Sequence, residues 1–210
     1  DWWAKCRMPF YNEIANIPLF IWDPRSKKAG ERRSSLTQTI DIGPTLLDYF
    51  NIKKPEDMQG HSLRSVIESD EPIREVALYG IFGGHVNITD GRYVYMRAPN
   101  EENEPLFHYT HMPSHMNSLF STDELRMMQW HQGFNFTKGC PVMKIPSKGG
   151  KGLRNFEDLK TKLFDLEKDP GQKNQIKNET VENRLIEKLI SMMKATDAPQ
   201  EQYARLGLNI

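Results

Sequence analysis

Apolar residues recur along this chain in two rhythms. The first long run, Ile17-Pro18-Leu19-Phe20-Ile21-Trp22, is almost continuous and is bounded by Asp23-Pro24-Arg25. It predicts a buried strand of a parallel sheet covered on both faces, with Pro18 near the strand start, where proline is tolerated. Ser26 to Ser35 is polar and basic, contains Gly30 and predicts a surface loop. Ile42, Leu46, Leu47 and Phe50 then return at helical spacing. Asp41 is placed to cap that helix, and Pro44 suits its first turn. Lys53-Lys54-Pro55-Glu56-Asp57 ends the pattern, and Glu68-Ser69-Asp70-Glu71-Pro72 marks a boundary.

Beyond Pro72 the runs shorten. Glu75 to Phe82 predicts a strand. Val86-Asn87-Ile88-Thr89 and Tyr93-Val94-Tyr95-Met96 flank Asp90-Gly91-Arg92, a strong hairpin signal because glycine accepts positive φ without strain. Thr122 to His131 predicts a short helix, and Pro141 to Gly152, with Lys148-Gly149-Gly150-Lys151-Gly152, a flexible basic loop. Lys162 to Leu166 predicts a strand stopped by Glu167-Lys168-Asp169-Pro170-Gly171. A last helix is predicted over Thr180 to Lys194, where Val181, Leu185, Leu189 and Met192 share a stripe with Ile186 and Met193.

Composition narrows the function classes. The 210 residues carry 28 Lys and Arg against 28 Asp and Glu, so no global field draws in nucleic acid or an anionic membrane. With 27% charged and 10% aromatic residues, intrinsic disorder is not expected. Two cysteines, Cys6 and Cys140, exclude a disulfide scaffold and a cysteine-rich zinc module. No apolar run approaches the roughly 18 residues of a membrane span. The opening Asp1-Trp2-Trp3-Ala4-Lys5 has no initiator Met or basic leader and suggests a processed or cut product, which leaves the compartment unassigned.

Several short patterns carry chemistry. His108, His111 and His115 fall at i, i+3 and i+7, but Pro113 interrupts the helix that would gather them, so no metal site is assigned. Gly83-Gly84-His85 lets backbone approach a ligand and makes His85 a candidate donor to a sulfate or sugar; the alternative is an edge bend with an exposed imidazole. The Lys148 to Gly152 loop lacks the order of a phosphate-binding loop, though it could steer a polyanion. Asn87, Asn135 and Asn178 open N-x-S/T triplets, too short a pattern to infer secretion.

Five segments together resemble the sulfatase family of the alkaline phosphatase superfamily. Ile17 to Pro24 is similar to the family's VPLIVRWPG strand, Thr39 to Asp48 to its VDLAPTLLDLAG helix, and Gln59-Gly60-His61-Ser62-Leu63 to DGRSLLPLL. Thr89 to Tyr95 is similar to the TDGRYKYI hairpin, and Leu163 to Pro170 to LYDLEKDP. They keep the family's order over about four fifths of the chain. The resemblance implies an α+β chain, the C-terminal portion of a sulfatase. Residues 1–72 would be the tail of a large α/β domain, and 73–210 a small antiparallel sheet with a packed C-terminal helix and an insertion at about 98–155.

It also implies chemistry. In sulfatases a Cys or Ser in C/S-x-P-S/A-R becomes formylglycine, and an oxygen-ligated calcium neutralises the sulfate. Neither Cys140-Pro141-Val142-Met143-Lys144 nor Cys6-Arg7-Met8-Pro9-Phe10 matches that motif, so nucleophile and calcium are expected in a missing N-terminal catalytic portion. Trp3-Ala4-Lys5 aligns with the family's WGK, and Tyr11-Asn12-Glu13 with YEE, which implies sulfate contact by Lys5. The expected substrate is a sulfated glycan or aryl sulfate. Two alternatives are a phosphonate or phosphate-ester hydrolase or transferase of the same superfamily, and a noncatalytic binding module that self-associates through exposed apolar faces.

Overall fold

The computed structural model describes residues 9–115, 117–147 and 159–208. The chain is α+β. Up to Ser69 the regular elements among the described residues are α1 (Asn12–Ala15), a 3-10 turn (Thr39–Asp41), α2 (Ile42–Tyr49) and α3 (Arg64–Ser69). Among the described residues seven strands, three further α-helices and a second 3-10 turn (Asn135–Thr137) follow.

One sheet has the order β1-β2-β3-β7, built from β1 (Ala77–Gly80), β2 (Val86–Thr89), β3 (Tyr93–Arg97) and β7 (Lys162–Asp165), all antiparallel. The β2–β3 turn is the expected hairpin. Gly91 sits at φ +94°, and the Asp90 carboxylate accepts from the backbone N–H groups of Arg92 and Tyr93 at 3.0 and 2.7 Å. A Cβ at Gly91 would find room, 3.7 Å from Leu36, so only backbone strain opposes a side chain there. Gly91→Ala is therefore expected to cost roughly 1–2 kcal/mol by chemical denaturation, with no change in the denaturant slope.

Strand alternation sorts the sheet's two faces. Leu78, Ile88, Tyr95 and Leu163 lie in register across one face and pack under α5 (Glu179–Ala195). Helix α5 has the expected stripe, with Leu185, Leu189 and Met193 buried and the Asn178 side chain capping Val181 N. The C-terminal helix α6 (Gln200–Arg205) follows, and Tyr203, Leu206 and Leu208 complete this core. On the opposite face Tyr79, Asn87, Met96 and Lys162 lie in register, beside a smaller cluster of Val94 and Phe164 that Tyr11 covers edge-on.

The second sheet, β4-β6-β5, comes from the region expected as an insertion: β4 (Phe107–Thr110), β5 (Gln129–His131) and β6 (Val142–Pro146). Helix α4 (Thr122–Arg126) precedes β5, held by a capping box between Ser121 and Glu124. Two expectations are corrected here. The predicted Thr122 to His131 helix is a short helix followed by a strand, and the predicted loop from Pro141 opens with β6, whose Val142 and Ile145 are buried. Residues 148–158, with the basic glycine loop, lie outside the described residues.

The clearest correction concerns Ile17 to Trp22. It takes no regular secondary structure, with Phe20 93% and Trp22 80% exposed. A strand needs a neighbour to accept its hydrogen bonds, and none of the described strands lies beside it. Helix α2 forms as expected, yet Ile42, Leu46 and Phe50 on its apolar side are also exposed.

Candidate functional site

The sequence singled out the β1–β2 turn, and a cavity of about 400 Å³ lies there. Its walls come from β1 and the turn (Leu78, Tyr79, Ile81, Phe82, Gly83, His85), from Leu106, and from Gln202 and Arg205 of α6. Gly83 holds φ +75° and turns the chain back. His85 lines the cavity but is not the exposed imidazole of the edge-bend alternative. It is 2% exposed, and Nε2 lies 3.0 Å from the Lys160 carbonyl. A carbonyl oxygen only accepts, so Nε2 carries the proton in that bond. Lys5, the other sequence-derived contact, lies outside the described residues, as does Cys6.

Arg205 is the residue that sequence reasoning missed. It is 2% exposed and donates to Gln202 Oε1 from Nε at 3.0 Å, to Asn103 Oδ1 from Nη1 at 2.8 Å, and to Gly84 O from both Nη atoms at 3.3 Å. Burial pulls its pKa down to about 10, which leaves it a cation at neutral pH. Tyr79 Oη is buried without a hydrogen-bond partner, and burial pushes that hydroxyl well above the ordinary tyrosine range. Nothing in Gln200-Glu201-Gln202-Tyr203-Ala204-Arg205 signalled this, since an arginine at a helix end usually faces water.

Phe82 connects the cavity to the histidines of the second sheet. It stacks on His108 at 4.5 Å, and His108 meets His115 edge-on at 5.1 Å. Strand β4 and the following loop, not a helix, bring these two together; His115 Nε2 pairs with Glu124 Oε1 at 2.9 Å. Burial lowers the His108 pKa, and the neighbouring His115 adds to that push. Among the described residues no group of three or more His, Cys, Asp or Glu side chains could hold a metal ion. Cys140 is a free, exposed thiol.

A second hollow of about 500 Å³ lies beyond β5, lined by His131, Gln132, Phe134, Asn135 and Asp197. Phe134 stacks on Phe136 at 5.3 Å and meets Tyr109 edge-on at 5.0 Å. Tyr109 Oη donates to Glu201, which also pairs with Lys144 at 2.7 Å. Burial pushes Glu201 up, but the bonds from Lys144 and Tyr109 outweigh it and hold the carboxyl below its ordinary value. Of the three N-x-S/T asparagines, Asn87 is fully buried and donates to Tyr79 O at 3.2 Å, so it is closed to a glycan in the folded chain. No helix among the described residues is long and apolar enough to cross a membrane.

These features belong to a chain whose residues 1–132 match the family model described as N-sulphoglucosamine sulphohydrolase, C-terminal. The chain is a member of that sulfatase family. It is 38% identical over 69 residues to the N-acetylglucosamine-6-O-sulfatase of Bacteroides thetaiotaomicron, covering 33% of this chain and 12% of that protein. It is 26% identical over 131 residues to an arylsulfatase of Clostridium perfringens, covering 59% and 27%. Over 57 residues it is 37% identical to human arylsulfatase K, covering 27% and 10%. The matches thus span about a tenth to a quarter of each relative.

Proposed function

We infer that this chain is the C-terminal portion of an enzyme that hydrolyses sulfate esters of a carbohydrate or aryl alcohol. The observation that carries the reading is the family match over residues 1–132, joined by relatives that are all named sulfatases. In this reading residues 1–72 end the large domain and residues 73–210 form the smaller one. The described residues do not fit a calcium centre or a formylglycine site: they hold no cluster of metal-binding side chains, and Cys140 precedes Pro141-Val142-Met143. Nucleophile and calcium are therefore assigned to polypeptide N-terminal to this chain. Lys5 is assigned to sulfate contact beside that centre.

The uncovered apolar surface supports the same assignment. Ile17 to Trp22 and the outer side of α2 present large apolar side chains to solvent on the segment nearest the missing portion. An apolar surface of that kind is the usual sign of a partner. The partner in this reading is the N-terminal catalytic portion, which would give Ile17 to Trp22 the strand neighbour it lacks.

The purified 210-residue chain, assayed with calcium on an aryl sulfate, is expected to show no hydrolysis above buffer. The same chain produced in continuity with the polypeptide encoded upstream is expected to be active, and that polypeptide to contain the C/S-x-P-S/A-R motif. Turnover by the isolated chain would overturn the assignment. A lone upstream Thr nucleophile with phosphoryl transfer would replace sulfate by phosphate chemistry.

A further inference from the structure

Arg205 is a buried cation that no carboxylate among the described residues meets. The other deeply placed arginine, Arg74, meets the buried Asp41 carboxylate through both terminal nitrogens at 2.5 and 2.6 Å. Arg205 meets only neutral oxygens: one backbone carbonyl and two side-chain amides. A guanidinium has five N–H donors. The four contacts to Gln202, Asn103 and Gly84 leave one N–H on Nη2 without an acceptor among the described residues, and both contacts to Gly84 are long, at 3.3 Å.

Removing a cation from water is costly unless an opposite charge meets it. The protein supplies no such charge at Arg205, but it does supply space, because Arg205 lines the cavity of about 400 Å³. That volume falls within the range of small-ligand sites and exceeds what a bare ion needs. The exposed Phe82 and Ile81 rim supplies apolar contact. A cationic ligand would be repelled, and a neutral one would leave the charge unanswered. An oxyanion on a larger body satisfies both the charge and the volume.

We propose that the cavity under the β1–β2 turn is an anion-binding subsite, in which Arg205 holds a tetrahedral oxyanion. The source that fits is a sulfate carried on a saccharide, and that source alone rests on the sulfate-ester reading. The anion itself does not, since every group that holds it lies in this chain. The subsite recognises substrate; bond cleavage takes place elsewhere.

Calorimetric titration of the 210-residue chain at fixed ionic strength tests this with three probes: N-acetylglucosamine 6-sulfate, free sulfate and unsulfated N-acetylglucosamine. Sugar sulfate is expected to bind, free sulfate to bind more weakly, and the unsulfated sugar not to bind measurably. Arg205→Gln is expected to weaken sugar sulfate by roughly tenfold or more, because it removes a charge-assisted hydrogen bond. That variant also disturbs the bonds to Gly84 and Asn103, so Arg205→Lys, which keeps the charge but loses the same fork of donors, is the second arm. Its thermal midpoint is expected to fall about as far as that of Arg205→Gln, while it retains part of the sugar sulfate affinity that Arg205→Gln loses. No binding of any sulfated probe, binding that Arg205→Gln leaves intact, or equal loss in both variants overturns the subsite. Equal affinity for free sulfate and sugar sulfate supports the anion site and removes only the saccharide as its source, whatever the catalytic assay shows.

Discussion

Asp41→Ala is expected to destabilise this chain by about 3–5 kcal/mol, measured by urea denaturation at neutral pH. The Asp41 side chain is fully buried and gathers four donors: Arg74 Nη1 and Nη2 at 2.5 and 2.6 Å, Gln38 N at 2.7 Å and His61 N at 3.0 Å. It thereby ties the 3-10 turn before α2 to the loop before α3 and to the segment leading into β1. Alanine would leave a buried guanidinium and two backbone N–H groups unanswered, and the unmatched groups dominate the cost. The double variant Asp41→Leu with Arg74→Met is accordingly expected to recover part of the loss, not all, since the two backbone donors stay orphaned. Burial alone pushes the Asp41 pKa up, but the bonds from Arg74, His61 and Gln38 outweigh it and hold the carboxyl below its ordinary 3.8. A carboxylate depressed in the folded state adds stability that is present above the unfolded value and is lost as pH falls through the folded one. The gap between wild type and variant should therefore be full at pH 7 and narrow below about pH 4. A loss under about 1 kcal/mol at pH 7, or a gap that widens in acid, would show that the pair does not hold the two regions together.

What the sequence disclosed depended on whether a signal was local. The Asp90-Gly91 turn and the α5 stripe are complete within their own segments, and both formed as read. Strand β6 was hidden because the glycines from Gly149 onward drew the whole stretch toward loop, although Val142 and Ile145 carried a short buried rhythm of their own. Ile17 to Trp22 shows the opposite failure: the sequence records a demand for burial but not which segment meets it. At the site, Gly83-Gly84-His85 pointed to the right turn for an incomplete reason. The glycines shape the cavity wall, but His85 Nε2 is committed to the Lys160 carbonyl. Arg205 left no trace, because its burial arises only when α6 folds against Gly84 and Asn103, more than a hundred residues earlier.

Leu189→Ala and Leu46→Ala give the second large effect and its control, because residue type and helical spacing are the same in both. Leu189 is fully buried in α5 among Leu185, Met193 and the sheet residues Ile88, Tyr95 and Leu163. Truncating it opens a cavity in a packed core and is expected to cost about 2–5 kcal/mol. Leu46 sits on α2 at 54% exposure, so its truncation in this chain is expected to stay within about 0.5 kcal/mol. If the proposed N-terminal portion covers α2 in a longer enzyme, Leu46→Ala is expected there to cost about 2 kcal/mol or more, because the side chain then has neighbours to lose. Denaturation of both variants in both lengths of protein makes the comparison. A large Leu46 effect in the isolated chain would mean that α2 is already covered there, and sedimentation at several concentrations would then reveal a second copy as the cover. A negligible effect in both lengths would remove α2 from the proposed interface and leave Ile17 to Trp22 to carry that proposal.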